Sequence, residues 1–189
     1  MPAVPKAGHV VAVAGRRVDP DPSGTRRFPF DRVADVERAF ASLVDELGVS
    51  ALVTSAACGA DLVALKVAAD RGIPARIVLP SEEEKFKASS VLDRPRPEYW
   101  RALFETSIAA ARARGGLVVL AHNQGGAESY SAGNRAIIDI ASSLAQSGDT
   151  QPVAVLIWEG RARDGVDATD EFRKLAEAAG FSIRTISTT

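Results

Sequence analysis

Cysteine and histidine are nearly missing from this chain, which has one cysteine, Cys58, and two histidines, His9 and His122. One thiol cannot close an internal disulfide, and this set falls short of a structural zinc site. No metal and no cofactor are therefore expected. Aromatic residues are also few, with seven Phe, two Trp and two Tyr, and the formal net charge is −1. Single-stranded nucleic acid needs a basic groove with stacking rings, so both counts argue against nucleic acid as a partner. No apolar run is long enough to span a bilayer, and Met1–Lys6 carries no signal-peptide core. No membrane partner is expected, and the cytoplasm is the expected compartment.

What is present is an alternation. With 189 residues and 46% apolar content, the chain can bury a sizeable core in one domain. Val10–Ala14, Ala51–Thr54, Ile77–Leu79, Leu117–Leu120, Val153–Trp158 and Ser182–Ile186 read as strands. Between them, helical spacing runs from Asp31 to Gly48, Ala60 to Arg71, Tyr99 to Arg114, Gly133 to Gln146, and from Asp167 or Thr169 to Gly180. Asp31 is placed to cap the first of these. Ser81–Lys87 reads as a short exposed helix, and Ser89–Pro97 as a loop. No linker or internal repeat appears. The pattern predicts an α/β fold, a mainly parallel sheet of about six strands with helices on both faces.

Such sheets bind ligands at the carboxyl ends of their strands, and four turns there carry chemistry. Gly15-Arg16-Arg17 ends the first strand. The glycine permits a close backbone approach, and the arginines can fork onto phosphate, or simply solvate a loop. The small residues Ser55, Ala56, Ala57, Cys58, Gly59 and Ala60 lead into Asp61, where amides at a helix start could cradle a phosphate. Asp61 would bind a sugar hydroxyl or neutralise an arginine; equally, it would complement the helix dipole. Cys58 has no general base beside it in the sequence. Tyr130, Asn134 and Arg135 lie near a helix start, suited to stacking on a base, reading a base or ribose, and pairing with phosphate. An ordinary helix start explains them as well. Gly165 to Asp170 repeats the strand–turn–helix geometry, with Thr169 as phosphate ligand or plain cap. Gly125-Gly126 before Glu128 needs no chemistry to justify it.

In this order the four turns resemble the SLOG superfamily, which joins the Rossmann-like domains of DNA-processing protein A with the Lonely Guy nucleotide hydrolases. The resemblance rests on Gly15-Arg16-Arg17, Gly59-Ala60-Asp61, Asn134-Arg135 and the Thr169 turn after Val153–Trp158, and it spans almost the whole chain. It implies a pocket for nucleotides or nucleotide-derived signals at the strand ends. The hydrolases carry Gly-Gly-x-Gly-Thr-x-x-Glu at the last turn. Here that stretch reads Gly165-Val166-Asp167-Ala168-Thr169-Asp170-Glu171-Phe172. Glu171 stands one residue early, and one helical step turns a side chain by about 100°, so it is expected to point away from the reacting position.

The leading expectation is a binding module for a nucleotide or ADP-ribose-like ligand, reporting its presence through a signalling partner or a homo-oligomer. Its ligand residues would be Gly15, Arg16, Arg17, Ser55, Ala57, Cys58, Gly59, Asp61, Tyr130, Asn134, Arg135 and Thr169. The alternative is a nucleoside monophosphate N-glycosidase, with Asp61, Glu128 and Glu171 as candidate carboxylates. The segment 81–115 is long for a connection and is expected to supply a lid, with Asp93 and Arg94 within reach of the ligand.

Overall fold

The computed structural model describes residues 8–20, 24–120 and 126–189. The chain runs β1 (His9–Gly15), a 3-10 turn (Phe30–Arg32), α1 (Val33–Leu47), β2 (Val49–Thr54), α2 (Ala60–Asp70), β3 (Ala75–Leu79) and α3 (Glu83–Ser90). It continues through α4 (Pro97–Ala113), β4 (Leu117–Val119), α5 (Ala127–Ser147), β5 (Pro152–Ile157), α6 (Ala168–Ala178) and β6 (Ser182–Ile186). The six strands form one sheet in the order β4-β3-β2-β1-β5-β6, and every neighbouring pair is parallel. This is the expected Rossmann-like α/β architecture.

The four inner strands bury both faces, which is why the sequence shows continuous apolar runs there, whereas the edge strands β4 and β6 are partly exposed. Successive side chains of β1 go to opposite layers. Val11 and Val13 join the core under α1, α2 and α4, and Val10 and Ala12 join the core under α5 and α6. α1 turns Val33, Val36, Phe40, Leu43 and Val44 inward and stops at Gly48, whose φ of 61° is left-handed. α2 is buried along most of its length, as its nearly all-apolar sequence requires. Among the described residues, no helix is long and apolar enough to cross a membrane.

Three elements differ from expectation. Asp31 lies inside the 3-10 turn and caps nothing: α1 starts after Arg32 with no side-chain cap. The charged segment after β3 is not simply exposed, because α3 buries Phe86 and Ser90, and Phe86 stacks on Phe104 at 6.3 Å. α5 begins at Ala127, well before Gly133, so Tyr130, Asn134 and Arg135 lie inside the helix. A helical glycine costs about 1 kcal/mol against alanine, so Gly133 reads as a boundary. Its reason is packing, since a Cβ there would stand 3.3 Å from the Pro80 Cβ.

The order of strands reverses at β1, with β2 on one side and β5 on the other. The crevice beyond the carboxyl ends of β1 and β5 is therefore the topological switch point, where open α/β sheets place their ligands.

Candidate functional site at the switch point

A cavity of about 440 Å³ opens at that crevice. The turn after β1 contributes Gly15, Arg16, Arg17 and Val18, and the turn after β2 contributes Ser55, Ala57 and Asp61. Phe86 and Arg94 come from the segment between β3 and α4, and Tyr130, Asn134 and Ile137 come from α5. The approach to α6 adds Arg163, Val166, Asp167, Thr169 and Glu171. Widely separated stretches thus meet at one place.

Arg16 is buried, and its guanidinium is committed to the protein. Nε and Nη2 donate to Glu159 at 2.7 and 3.2 Å, Nη1 donates to Asp167 at 2.7 Å, and Nη2 donates to the Arg161 carbonyl at 2.6 Å. The Trp158 ring lies 5.5 Å away. Burial alone would lower the Arg16 pKa, but the bonds to Asp167 and Glu159 hold it above its ordinary value. Glu159 also receives Arg27. Asp167 is the hub of the loop. Besides Arg16, it accepts from the amides of Arg163 at 2.7 Å, Thr169 at 2.9 Å and Asp170 at 3.3 Å. Burial opposes its charge, yet Arg16 and these amides draw its pKa down to about 2. The cap of α6 is therefore Asp167, and Thr169 stands inside the helix, facing the cavity.

The glycine turns serve the protein as well. A Cβ at Gly15 would stand 2.3 Å from the Ile157 carbonyl oxygen and 2.5 Å from the Ala60 Cβ. Gly59 has φ 108°, and a Cβ there would meet the Arg16 carbonyl at 2.6 Å. It bridges Arg17 across the turn. The amides expected to cradle a phosphate are engaged: Ala57 N–H donates to Asp61 at 3.1 Å, Cys58 N–H to Ser90 O at 2.9 Å and Ala60 N–H to Arg16 O at 3.0 Å. Cys58 is fully buried in the core, and burial pushes its thiol up to about 11.

Other groups do face the cavity with capacity to spare. The Ser55 hydroxyl is buried and has no hydrogen-bond partner among the described residues, a state that costs about 1–3 kcal/mol unless something pairs with it. Asp61 is buried at the cavity wall; burial pushes its carboxyl up to about 7 against the pull of the Ala57 amide, the Thr54 hydroxyl and Arg17. Tyr130 is partly exposed, with its hydroxyl 3.0 Å from Ser90 Oγ. Asn134 donates to Ala168 O at 2.9 Å and to Glu171 Oε2 at 3.2 Å. Glu171 thus lines the cavity wall beside Asn134, on a helix whose start is set by the Asp167 cap. Arg17 donates to Ser89 O and to Asp93 Oδ2, both at 2.7 Å. Arg94 donates to the same Asp93 oxygen at 2.7 Å and to Val18 O at 3.1 Å.

Arg135 and Glu128 fall outside this cavity and line a neighbouring one. Gly125 lies outside the described residues. Sequence reasoning missed Arg163, an exposed residue whose side chain has no ion-pair partner among the described residues. Burial and the nearby Arg16 and Arg27 lower its pKa, while Asp167 and Glu159 pull it the other way. Its one signal was an arginine in a strand-end turn of the kind already singled out.

No protein-family model matches the chain, and no curated protein matches it. Solved structures do resemble its fold. DNA processing protein A from Helicobacter pylori is 15% identical, with a TM-score of 0.44, over 93% of this chain and 74% of that one. DNA processing protein A from Streptococcus pneumoniae is 18% identical, with a TM-score of 0.39, over 94% of this chain and 58% of that one. UDP-GlcNAc 2-epimerase from Neisseria meningitidis, bound to UDP-GlcNAc, is 8% identical, with a TM-score of 0.32, over 82% and 53%. The Helicobacter pylori protein binds single-stranded DNA. That corrects the expectation set against nucleic acid: a net charge of −1 and a short aromatic list do not dismiss such a partner, because contact depends on local charge.

Proposed function

We propose that the cavity binds a nucleotide or a nucleotide-derived, ADP-ribose-like ligand, and that the chain acts as a sensor of it. The observation that carries this reading is Arg163, an arginine with no ion-pair partner among the described residues, facing a 440 Å³ cavity at the switch point of the sheet. Phosphate is the ligand group that a guanidinium fork takes best. Ser55 and Asp61 offer a hydroxyl and a carboxyl to ribose hydroxyls, and the Tyr130 ring offers a stacking face. Arg16, expected as a phosphate ligand, instead holds the loop that presents Arg163. Thermal unfolding with AMP, ADP and ADP-ribose tests the proposal. A ligand at a hundredfold excess over its Kd adds about 2.7 kcal/mol of stability. Arg163→Gln is expected to weaken binding about tenfold or more, the worth of a charged hydrogen bond. No shift with any of the three in the parent chain overturns the reading.

The place of Glu171 on the cavity wall supports a second reading, hydrolysis of an N-glycosidic bond. A water oxygen would bond to C1′ as the C1′–N bond breaks. Glu171 would take the water proton, and the protonated Asp61 carboxyl would give one to the departing base. Incubation with AMP should then release adenine, and Glu171→Gln should abolish the release; an intact AMP pool leaves binding alone.

A further inference from the structure

A second cavity, of about 720 Å³, lies between α5 and α6. The first turns of α5 divide the two spaces. Tyr130, Asn134 and Ile137 face the first cavity, whereas Glu128, Ser131 and Arg135 face the second. The spaces meet along Ala127, Arg163, Val166, Asp167 and Glu171, which line both.

The chemistry changes across that seam. Arg163 stands on it, and Arg135 stands beyond it, also without an ion-pair partner among the described residues. Of the carboxylates around the second cavity, Asp167 is held by Arg16, and Asp170 by Arg173 and Lys174. Glu128 and Glu171 keep oxygens able to accept from hydroxyl groups. Val166, on the seam, is 75% exposed and offers an apolar face. Each cavity is the size of a site for one small ligand. Joined, they have a cation at the junction and hydroxyl acceptors on both sides.

We infer that the two cavities are subsites for one ligand, two sugar-bearing halves joined through a diphosphate, with Arg163 at the diphosphate and Glu128, Ser131 and Arg135 around the second half. The inference rests on the nucleotide reading of the first cavity and extends it. A guanidinium at the seam can fork onto both phosphoryl groups. The half that lies between α5 and α6 meets carboxylates, which repel a terminal phosphate but accept sugar hydroxyls.

Calorimetric titration of the full chain with ADP, diadenosine diphosphate and a short thymidine oligonucleotide tests the inference. Two variants accompany it: Arg135→Gln, at an exposed position, and Ser131→Trp, which fills the second cavity from α5. Circular dichroism checks that both are folded. Diadenosine diphosphate is expected to bind about tenfold tighter than ADP, the worth of one or two charge-assisted bonds. Each variant should remove most of that advantage. Equal affinity for the two ligands, or an advantage that survives both variants, overturns the inference while leaving ADP binding in place. A larger advantage for the oligonucleotide, lost in the same variants, overturns it in favour of a nucleic-acid strand. No binding by ADP or diadenosine diphosphate brings down the nucleotide reading together with the inference.

Discussion

Asp61 shows how one position can be read correctly for residue type and still hide its state. Its carboxyl accepts the Ala57 amide yet is buried, and burial raises its pKa to about 7. An unfolded aspartate titrates near 3.9, so between these values the folded chain holds a proton that the unfolded chain has released. The stability from this group is full below about pH 4 and is lost as pH rises through about 7. Asp61→Asn removes that loss while keeping an oxygen for the Ala57 amide. Its melting temperature should exceed the parent's by roughly 2–8 °C at about pH 8, for about 1–2 kcal/mol, and the gap should close towards about pH 4. Melting curves across pH check this. Asp167 has the opposite sign, because Arg16 and backbone amides hold it charged down to about pH 2. Its contribution is present above about pH 4 and is lost as pH falls through about 2. Neither state was legible in the sequence. Arg16 looked like a phosphate ligand because an arginine after the first strand looks the same whether it meets a guest or an ion pair. Its partners Glu159 and Asp167 are 143 and 151 positions away, and no local pattern announces them.

At the scale of the element, the strands were legible because a parallel strand buried on both faces leaves an unbroken apolar run. The glycine turns were legible as turns but not in purpose. Gly15 and Gly59 were read as openings for a ligand, and they are where β1, β5 and the start of α2 crowd together. Gly59→Ala should therefore act on stability. A positive φ costs a non-glycine residue about 1–3 kcal/mol, and the added methyl also meets the Arg16 carbonyl at 2.6 Å. A loss of at least about 2 kcal/mol is expected, roughly 4–8 °C in melting temperature. An unchanged melting curve would show that the turn can relax. The early start of α5 went unseen because Gly133 mimics a boundary, when its role is to pass close to Pro80.

At the scale of the whole molecule, alternation of strand and helix predicted the sheet, and the sheet order predicted where the crevice would open. Composition did less well, because a sum over the chain has no position in it. A net charge of −1 conceals Arg16, Arg17, Arg94 and Arg163 gathered around one cavity. The Asp93 carboxylate that clasps both Arg17 and Arg94 has a consequence for that gathering. A guest taking the donors that Asp93 now holds would have to displace its carboxylate. A monovalent ion swaps one charge for an equal one, whereas a phosphoryl group brings more negative charge and three oxygens to the exchange. On the proposed nucleotide reading, that exchange would favour guests of high charge density over singly charged ones.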